Sequence, residues 1–476
     1  MSKEINTDVL VVGAGISGLA TAHFIRKQGL KVAVVEKTDR PGGAIRSERI
    51  DGFLVEYGPN STLDTSPIIH ELLADLGIES EMEYANERSK NRYIVRNGRL
   101  NALPMSPMAF IRTPHFSGKA KLRLLKEPFI KPAAPEVEET LAEFVVRRLG
   151  VEFLDYAIDP FVAGVYAGVP EQLSVKSAFP KLYALEQKYG SLIKGTILGA
   201  RERKKRGEVS KQSAKLFAFP EGMQTMINAL QAEFADSLIV KTNVRFIGKE
   251  NGVFRVISRG EGGEFQFRTK SLLMTIPAYK YKDLPLDLFV SLHRPFEQLY
   301  HPPVTMVYFG FKNNPAARPL DGFGFLIPRK ENFQILGTIW SSTIFSRRAP
   351  EGGIALTTFV GGSRQPENAL LPESRLVDLV HHDLKILLGI EQQPDLVVVQ
   401  PWPEAIPQYN IGHQQIIEDI ERFERQTPGV YISGNFRGGI SVGDCIKQAK
   451  LMAEKIGSEI LQRKNKSNPV KESRTI

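Results

Sequence analysis

Apolar positions along the 476-residue chain switch between short continuous runs and a helical spacing, and the switches mark the elements. Asp8–Val12 is an apolar run rich in valine, which predicts a buried strand. A helical pattern runs from there to Gln28, and Gly29 is placed to end it. Lys31–Val35 reads as a second strand, closed by Glu36. Thr65–Pro67 starts a helix that Gly77 stops, and Arg92–Gly98 reads as a strand and turn. Glu138–Gly150 and Val151–Ile158 read as helices, Asp159–Gly168 as a glycine-bearing turn or loop, and Phe179–Arg203 as a helical region. Phe219–Gln224 introduces a helix to Phe234. Strands at Leu238–Phe246, Val253–Ser258 and Leu272–Ile276 follow, with Gly260–Gly263 as a hairpin turn ahead of Phe265–Thr269. From Val304 the pattern is strand-rich: Val304–Phe311, Phe323–Ile327, Gln334–Trp340, Ile354–Val360 and Leu396–Gln400, expected as an antiparallel sheet crossed by a helix at Ser374–Leu388. Val430–Asn435 reads as a strand ending in a turn and Val442–Leu461 as an amphipathic helix; the polar tail after Gln462 is expected to be disordered.

The first strand, helix and second strand enclose Gly13, Ala14, Gly15, Ile16, Ser17 and Gly18, in G-x-G-x-x-G spacing. That is a dinucleotide fingerprint in its expected context. Gly13 permits the tight turn, Gly15 lets the backbone approach a pyrophosphate, and Gly18 lets helix and strand pack closely. Glu36 can accept hydrogen bonds from a ribose hydroxyl, and the helix N-terminus offers N–H groups to phosphates. A glycine-rich turn without a ligand is the bland alternative, and the agreement of all four parts argues against it. Arg40–Gly43 and Arg46 continue the unit in a way that resembles FAD oxidoreductases. No second fingerprint occurs, so one site, for FAD and without a separate NAD site, is expected.

Composition narrows the class. With 42% hydrophobic and 24% charged residues, the chain is that of a folded soluble protein of two or three domains. Lys plus Arg exceed Asp plus Glu by 62 to 53, giving +9, which favours acidic small molecules, anionic membrane surfaces or nucleic acid. One cysteine excludes an intramolecular disulfide framework and argues against a cysteine-rich metal site; no metal is expected. The first strand begins so early that no signal or transit peptide is expected, and no apolar run reaches the length of a membrane span. Pro104–Pro135 mixes Met105, Met108, Phe110, Ile111, Phe116, Leu122, Leu124, Leu125, Phe129 and Ile130 with Arg112, Lys119, Lys121, Arg123, Lys126 and Lys131. Such a basic amphipathic segment suits a bilayer interface, against the plainer reading of a helical cap with solvated lysines. Arg201, Arg203, Lys204, Lys205 and Arg206 read as a solvated loop; without interleaved aromatics they do not suggest nucleic acid. The expected location is cytoplasmic, peripheral on the inner face of the cell membrane.

Several longer segments, Asn91–Gly98, Ile158–Gly164, Phe219–Thr225, Leu336–Ser342, Thr357–Arg364 and Gly434–Gly443, resemble the protoporphyrinogen oxidase family within the amine-oxidase and phytoene-desaturase superfamily. The resemblance covers almost the whole chain and looks nearest to the mitochondrial plant enzymes. It implies an α/β and α+β fold. A discontinuous Rossmann-like FAD-binding domain would take 1–86, 212–278 and 405–464. An antiparallel-sheet substrate domain would take 87–103 and 279–404, a helical membrane-associating insertion 104–211, and a disordered tail 465–476.

The resemblance also implies site residues. Arg92 stands at the position that binds a propionate, where a guanidinium fork matches a carboxylate; otherwise it would read as a strand-end surface charge. Gly164 stands where backbone approaches the reacting edge of the substrate. Leu326, Ile339 and Phe359 stand where the macrocycle is sandwiched, though from pattern alone they read as core. For FAD, Glu36, Lys37, Gly43, Ala44, Gly58, Pro59, Asn60, Ser61 and Trp402 would line the cofactor. Val244 would hold the adenine end through its backbone, and Ile440, Ser441 and Val442 would present a helix N-terminus to the flavin. Asp444 and Cys445 read as first-turn helix residues, and FAD is expected to be non-covalent. The implied activity belongs to haem biosynthesis: six-electron oxidation of protoporphyrinogen IX to protoporphyrin IX, with molecular oxygen reduced to hydrogen peroxide. In it one meso carbon faces the flavin, imine–enamine shifts relay the rest, and no general base is needed. Coproporphyrinogen III is the alternative substrate. An amine oxidase, a carotenoid desaturase and an FAD-free prenyl-protein escort are more remote. A homodimer is left open.

Overall fold

The computed structural model describes residues 3–104, 106–206, 214–284 and 287–467. The chain opens with β1 (Lys3–Val12), α1 (Ile16–Lys27), β2 (Val32–Val35), β3 (Ser47–Ile50), β4 (Phe53–Glu56), β5 (Thr62–Leu63) and α2 (Pro67–Asp75). Gly29 and Gly77, both at positive φ, end α1 and α2, and the Ser66 hydroxyl caps α2 ahead of Pro67. β6 (Glu83–Tyr84), β7 (Asn91–Arg96) and β8 (Arg99–Ala102) follow. A helical stretch comes next: α3 (Pro107–Arg112), α4 (Gly118–Leu124), α5 (Leu141–Arg148), α6 (Val151–Phe153), α7 (Asp159–Tyr166), α8 (Val175–Ala178), α9 (Pro180–Tyr189) and α10 (Leu192–Arg206). The chain then returns through β9 (Leu216–Ala218), α11 (Gln224–Glu233), β10 (Leu238–Ile239), β11 (Thr242–Glu250), β12 (Val253–Gly260), β13 (Gly263–Met274) and α12 (Val290–Glu297). The strand-rich stretch holds β14 (Val304–Phe311), β15 (Gly322–Leu326), β16 (Ile335–Trp340), α13 (Ser341–Ile344), β17 (Ile354–Gly361), α14 (Glu373–Leu388) and β18 (Leu396–Trp402). α15 (His413–Gln426), β19 (Val430–Ile432) and α16 (Val442–Ser467) complete it.

Two seven-stranded sheets organise these elements. The first runs β10-β2-β1-β13-β12-β11, with β19 also paired to β13. Its β10, β2, β1, β13 and β19 are parallel, and β12 and β11 continue it as antiparallel strands. Both faces of the parallel part are covered, which is why Val9–Val12 is apolar throughout. Val9, Val11, Val32 and Val34 face α1, α2, α11 and α16; Leu10, Val12, Ala33 and Val35 face α12 and α15.

The second sheet runs β18-β14-β17-β16-β15-β7-β8. The five strands expected as an antiparallel sheet pair so, and β7 joins their edge parallel to β15. β7 arrives from far upstream and not through a hairpin, so nothing fixes it antiparallel. One face, with Val95, Phe309, Phe325, Trp340 and Leu356, is closed by Leu376, Val380 and Leu384 of α14. On the other face, Met306, Tyr308 and Ala355 pack on Phe53, Val55 and Tyr57.

Other expectations shift in detail. Leu238–Phe246 is two strands, because Lys241 takes positive φ, and Phe265–Thr269 merges with Leu272–Met274 into one strand. Asp159–Gly168 is not a loop: α7 occupies Asp159–Tyr166, with Pro160 in its first turn, where the missing N–H is tolerated. Val151–Ile158 is helical but changes to a π-turn at Leu154–Ile158. The backbone through the basic cluster is helical to Arg206 and not a loop. The last helix passes Gln462 to reach Ser467; Met105, the boundary at 212 and the rest of the tail lie outside the described residues.

The helical stretch is stapled by a buried ionic cluster. Arg148 and Glu127 are fully buried and 3.1 Å apart, and Arg148 also bonds Glu186. Burial pushes the Glu127 carboxyl up, but bonds from Ser191 Oγ and the Leu192 and Ile193 N–H groups, with Arg148, outweigh it and hold it below the usual range. Glu127 thereby caps α10. Arg148→Met leaves the buried Glu127 carboxylate without its cation and takes from Glu186 one of its two arginine partners, the other being Arg147; it is expected to destabilise the protein by about 3–5 kcal/mol, read as a shift of the denaturation midpoint.

Candidate active site

The fingerprint glycines are placed by sterics. Gly13 has φ +106°, and a Cβ there would sit 2.9 Å from Thr275 Oγ1. A Cβ on Gly18 would lie 2.0 Å from Gly13 O, so only glycine lets α1 start this close to β1. At Gly15 a Cβ would meet nothing within 4 Å. That open space at the start of α1 is a cradle for a phosphate group. Gly42 N donates to Ala14 O at 2.8 Å, and Arg40 pins this turn by donating to Gly43 O (2.8 Å) and Ile45 O (3.1 Å). Gly43 and Ala44 are exposed beside Gly15.

Glu36, at the end of β2, accepts from Ala14 N on one carboxylate oxygen and from Thr38 N on the other, each at 2.8 Å. Both oxygens keep acceptor capacity for a ribose. Lys37 is exposed next to it. Thr242 N donates to Glu36 O and Lys241 N to Thr38 O, both at 2.8 Å, so β11 begins alongside Glu36. Val244 lies just beyond, buried and next to a bulge. Gly58 abuts Ala44, where a Cβ would fall 2.0 Å from Ala44 O. Pro59, Asn60 and Ser61 continue half-buried, with Asn60 Nδ2 donating to Gly58 O. Trp402 Nε1 donates to Tyr57 O at 3.0 Å and joins this groove to the edge of the second sheet.

At the C-terminal end, Ser441 Oγ accepts from Asp444 N at 3.1 Å and caps α16. Ile440 is half-buried against the helical core, and Val442 is buried. The preceding turn is held by Tyr409, whose hydroxyl donates to Asn435 O (2.7 Å) and accepts from Gly439 N (3.0 Å). Burial pushes the Cys445 thiol up to about 11, which leaves it a poor nucleophile for a covalent flavin link.

The expected macrocycle contacts share one face of the second sheet. Leu326 pairs with Gly337, and Gly337 pairs with Phe359, so the three form one row across β15, β16 and β17. Ile339, two residues beyond Gly337, projects to the same side. Gly337 is the gap in the row, and a glycine inside a strand is a signal of close approach by another group. α7 lies over the row: a Cβ on Gly164 would be 2.4 Å from Leu326 Cδ2. Arg92 is exposed on β7, two residues before Ile94, the partner of Leu326. Its guanidinium lies over Phe323, 5.5 Å from the ring centroid, with no carboxylate partner among the described residues.

Sequence patterns pass over Gly337, Phe323 and Tyr409, and over the buried Asp159–Arg364 pair, 2.8 Å apart. Only Gly337 carries a local signal. The others are defined by partners distant in sequence.

Residues 16–457 match the family of flavin containing amine oxidoreductases. The chain belongs to that family. It is an FAD-dependent oxidoreductase, and the open cradle at Gly15 with Glu36 beside it fits the dinucleotide. Among curated relatives, protoporphyrinogen oxidase 2, chloroplastic/mitochondrial, of Arabidopsis thaliana is 33% identical over 97% of this chain and 96% of its own. Coproporphyrinogen III oxidase of Bacillus subtilis (strain 168) is 28% identical over 93% and 96%. A crystal structure from Exiguobacterium sp. 255-15, provisionally named as a protoporphyrinogen oxidase, superposes with a TM-score of 0.80 at 25% identity, covering 96% of this chain and 99% of that one.

Gly15→Val fills open space and is expected to fold normally yet purify without flavin absorbance. Gly18→Val meets backbone and is expected to lower the melting temperature as well. Equal flavin content in Gly15→Val and the parent would move the phosphate site elsewhere.

Proposed function

We propose that this chain oxidises a porphyrinogen to its porphyrin in haem biosynthesis, with protoporphyrinogen IX as the substrate and coproporphyrinogen III as the second reading. The observation that carries it is a row of apolar side chains on one sheet face, Leu326, Ile339 and Phe359, edged by Gly164 where α7 packs against Leu326 and by the exposed Arg92 on β7; this row is taken as one wall of a substrate slot. A porphyrinogen is apolar on its faces and anionic at its propionates, and the slot has the same division. The relatives' names support both substrates. Their order by identity favours the first.

Bound FAD supplies a two-electron acceptor for each of three successive oxidations. The residues of this chain bind and orient. Leu326, Ile339 and Phe359 support one face of the macrocycle and exclude water from it. Gly164 presents backbone without a side chain, which lets the reacting edge approach. Arg92 fixes rotation of the ring by holding a propionate. The Ser441-capped start of α16 directs N–H groups and a positive dipole end toward charge that develops on the cofactor side. Pyrrole protons leave to water, so no base is assigned. Molecular oxygen as the terminal acceptor, with peroxide as product, belongs to this reading.

The protein also lies peripherally on an anionic membrane face in this proposal. Phe129 is 85% exposed, and Met108, Ile111, Leu122 and Leu125 are exposed with it, among exposed Lys119 and Lys126. Exposed apolar side chains interspersed with cations along one segment suit a bilayer interface better than water.

Incubation with each porphyrinogen, followed by porphyrin fluorescence, tests the function; no fluorescence from either removes it. Arg92→Ala is expected to raise KM roughly tenfold, about 1.4 kcal/mol of binding, with little change in kcat. Unchanged KM would take Arg92 out of the site. A Leu125→Asp/Phe129→Asp variant is expected to lose sedimentation with anionic vesicles while keeping its turnover of detergent-dispersed substrate. Retained sedimentation would place membrane contact on another face.

A further inference from the structure

α7 packs directly on the second sheet, with Gly164 against Leu326 and with Ala163 and Ala167 in the cluster that Phe359 joins, so the seat of α7 fixes one edge of the slot. Three chain segments meet along that edge: α7 carries Gly164, β15 carries Leu326 and β17 carries Phe359. They come together at one buried guanidinium. Arg364 follows β17, and its side chain is 6% exposed. Its Nη1 donates to Ile327 O (2.7 Å), in the residue that follows β15. Its Nη2 donates to Asp159 O (2.6 Å) and lies 2.8 Å from the Asp159 carboxylate, at the start of α7. The same carboxylate oxygen accepts from Arg329 N (2.8 Å), just beyond β15. Arg329 Nη2 stands 3.7 Å from the other oxygen and bonds Glu171.

The far end of α7 is fixed to the same segment. Ala167 ends the helix at φ +51°, and its carbonyl accepts from Ser363 N at 2.7 Å. Gln408 Nε2 donates to Tyr166 O at 2.7 Å. The entry to α7 is set as well. Pro160 has no N–H to offer the carbonyl four residues back, and His115 Nε2 donates to that Tyr156 O at 2.9 Å. The π-turn at Leu154–Ile158 lies at this kink. α7 is therefore held at both ends by bonds that bypass the slot itself.

We propose that Asp159 and Arg364 are positioning residues for substrate, acting through α7 to hold Gly164 in its place against Leu326, at the edge of the slot. They touch neither macrocycle nor cofactor. A lysine at 364 can meet the Asp159 carboxylate but cannot also span to Ile327 O and Asp159 O, since it lacks the planar fork. The proposal rests on the porphyrinogen reading of the slot.

The test uses the FAD-loaded full chain, with Arg364→Met, Arg364→Lys and Asp159→Asn. Flavin content and melting temperature are measured beside KM and kcat for protoporphyrinogen IX. The expected result is a KM raised roughly tenfold in Arg364→Met and about threefold in Arg364→Lys, with flavin content as in the parent. Asp159→Asn keeps an acceptor for Arg329 N and is expected to lie between them. Combining Arg364→Met with Gly164→Ala is expected to give less than the product of the two single effects, because both disturb one contact, that of α7 with Leu326. If melting temperature falls in all three variants while KM stays at the parent value, the pair serves only stability and the proposal is overturned. Independent, multiplying effects with Gly164→Ala overturn it too. If the parent itself oxidises neither porphyrinogen, the reading of the slot fails, and the positioning role falls with it.

Discussion

The parallel pairing of β1 with β13 is the contact on which the other parts depend. It joins Lys3–Val12 to residues more than 250 positions later, in register from Lys3–Phe265 to Val12–Met274. The loop closed by that pairing contains the whole helical stretch and the small strands between, so its entropy must be offset by burial on both faces of the sheet. The two faces supply it: α1 packs along α16 on one side, and α12 packs on α15 on the other. The same pairing brings Thr275 to the fingerprint, where its hydroxyl donates to Gly13 O at 2.8 Å. The turn that receives the dinucleotide is thus fixed by a strand from the middle of the chain.

From that frame, the two halves of the site use different chemistry. The cofactor half is built mostly from backbone. Gly13, Gly15, Gly18, Gly43 and Gly58 matter for the side chain they lack, and the N–H groups at the starts of α1 and α16 would supply the polar groups. The proposed substrate half is built from side chains on one sheet face and from one helix laid over them. Such a division lets the substrate face vary while the cofactor groove stays intact.

This division also explains what the sequence discloses. The fingerprint is legible because its function is local: a strand, three glycines at fixed spacing, a helix and an acid. Leu326, Ile339 and Phe359 have no local mark, since an apolar strand residue facing a ligand looks like one facing a core; only resemblance singles them out. The segment at Asp159 misleads because Pro160, Gly164 and Gly168 are turn signals by composition. Its helix is held by partners at 329, 363, 364 and 408, which no window around residue 160 contains. The parallel entry of β7 beside β15 is hidden for the same reason. α15, by contrast, does carry its period, with Ile416, Ile420 and Phe423 on the buried side; its high polar content masks it.

Charge at the rim separates the proposed substrate from the amines that give the family its name. Two unit charges about 4 Å apart interact by about 1 kcal/mol in water and by about 4 kcal/mol at an effective dielectric near a protein surface. If Arg92 lines the site as proposed, that term would attract a propionate and oppose an ammonium, and so would work twice in discriminating between them. The apolar row cannot make this distinction, because it accepts any flat or flexible hydrophobic body of suitable width. Nor can the cofactor groove, which serves every oxidation of this kind. In the proposed reading, selection therefore rests on the exposed Arg92 cation together with the seat of α7 against Leu326. The first would decide which charge enters, and the second would decide how a ring lies along Leu326 and Phe359.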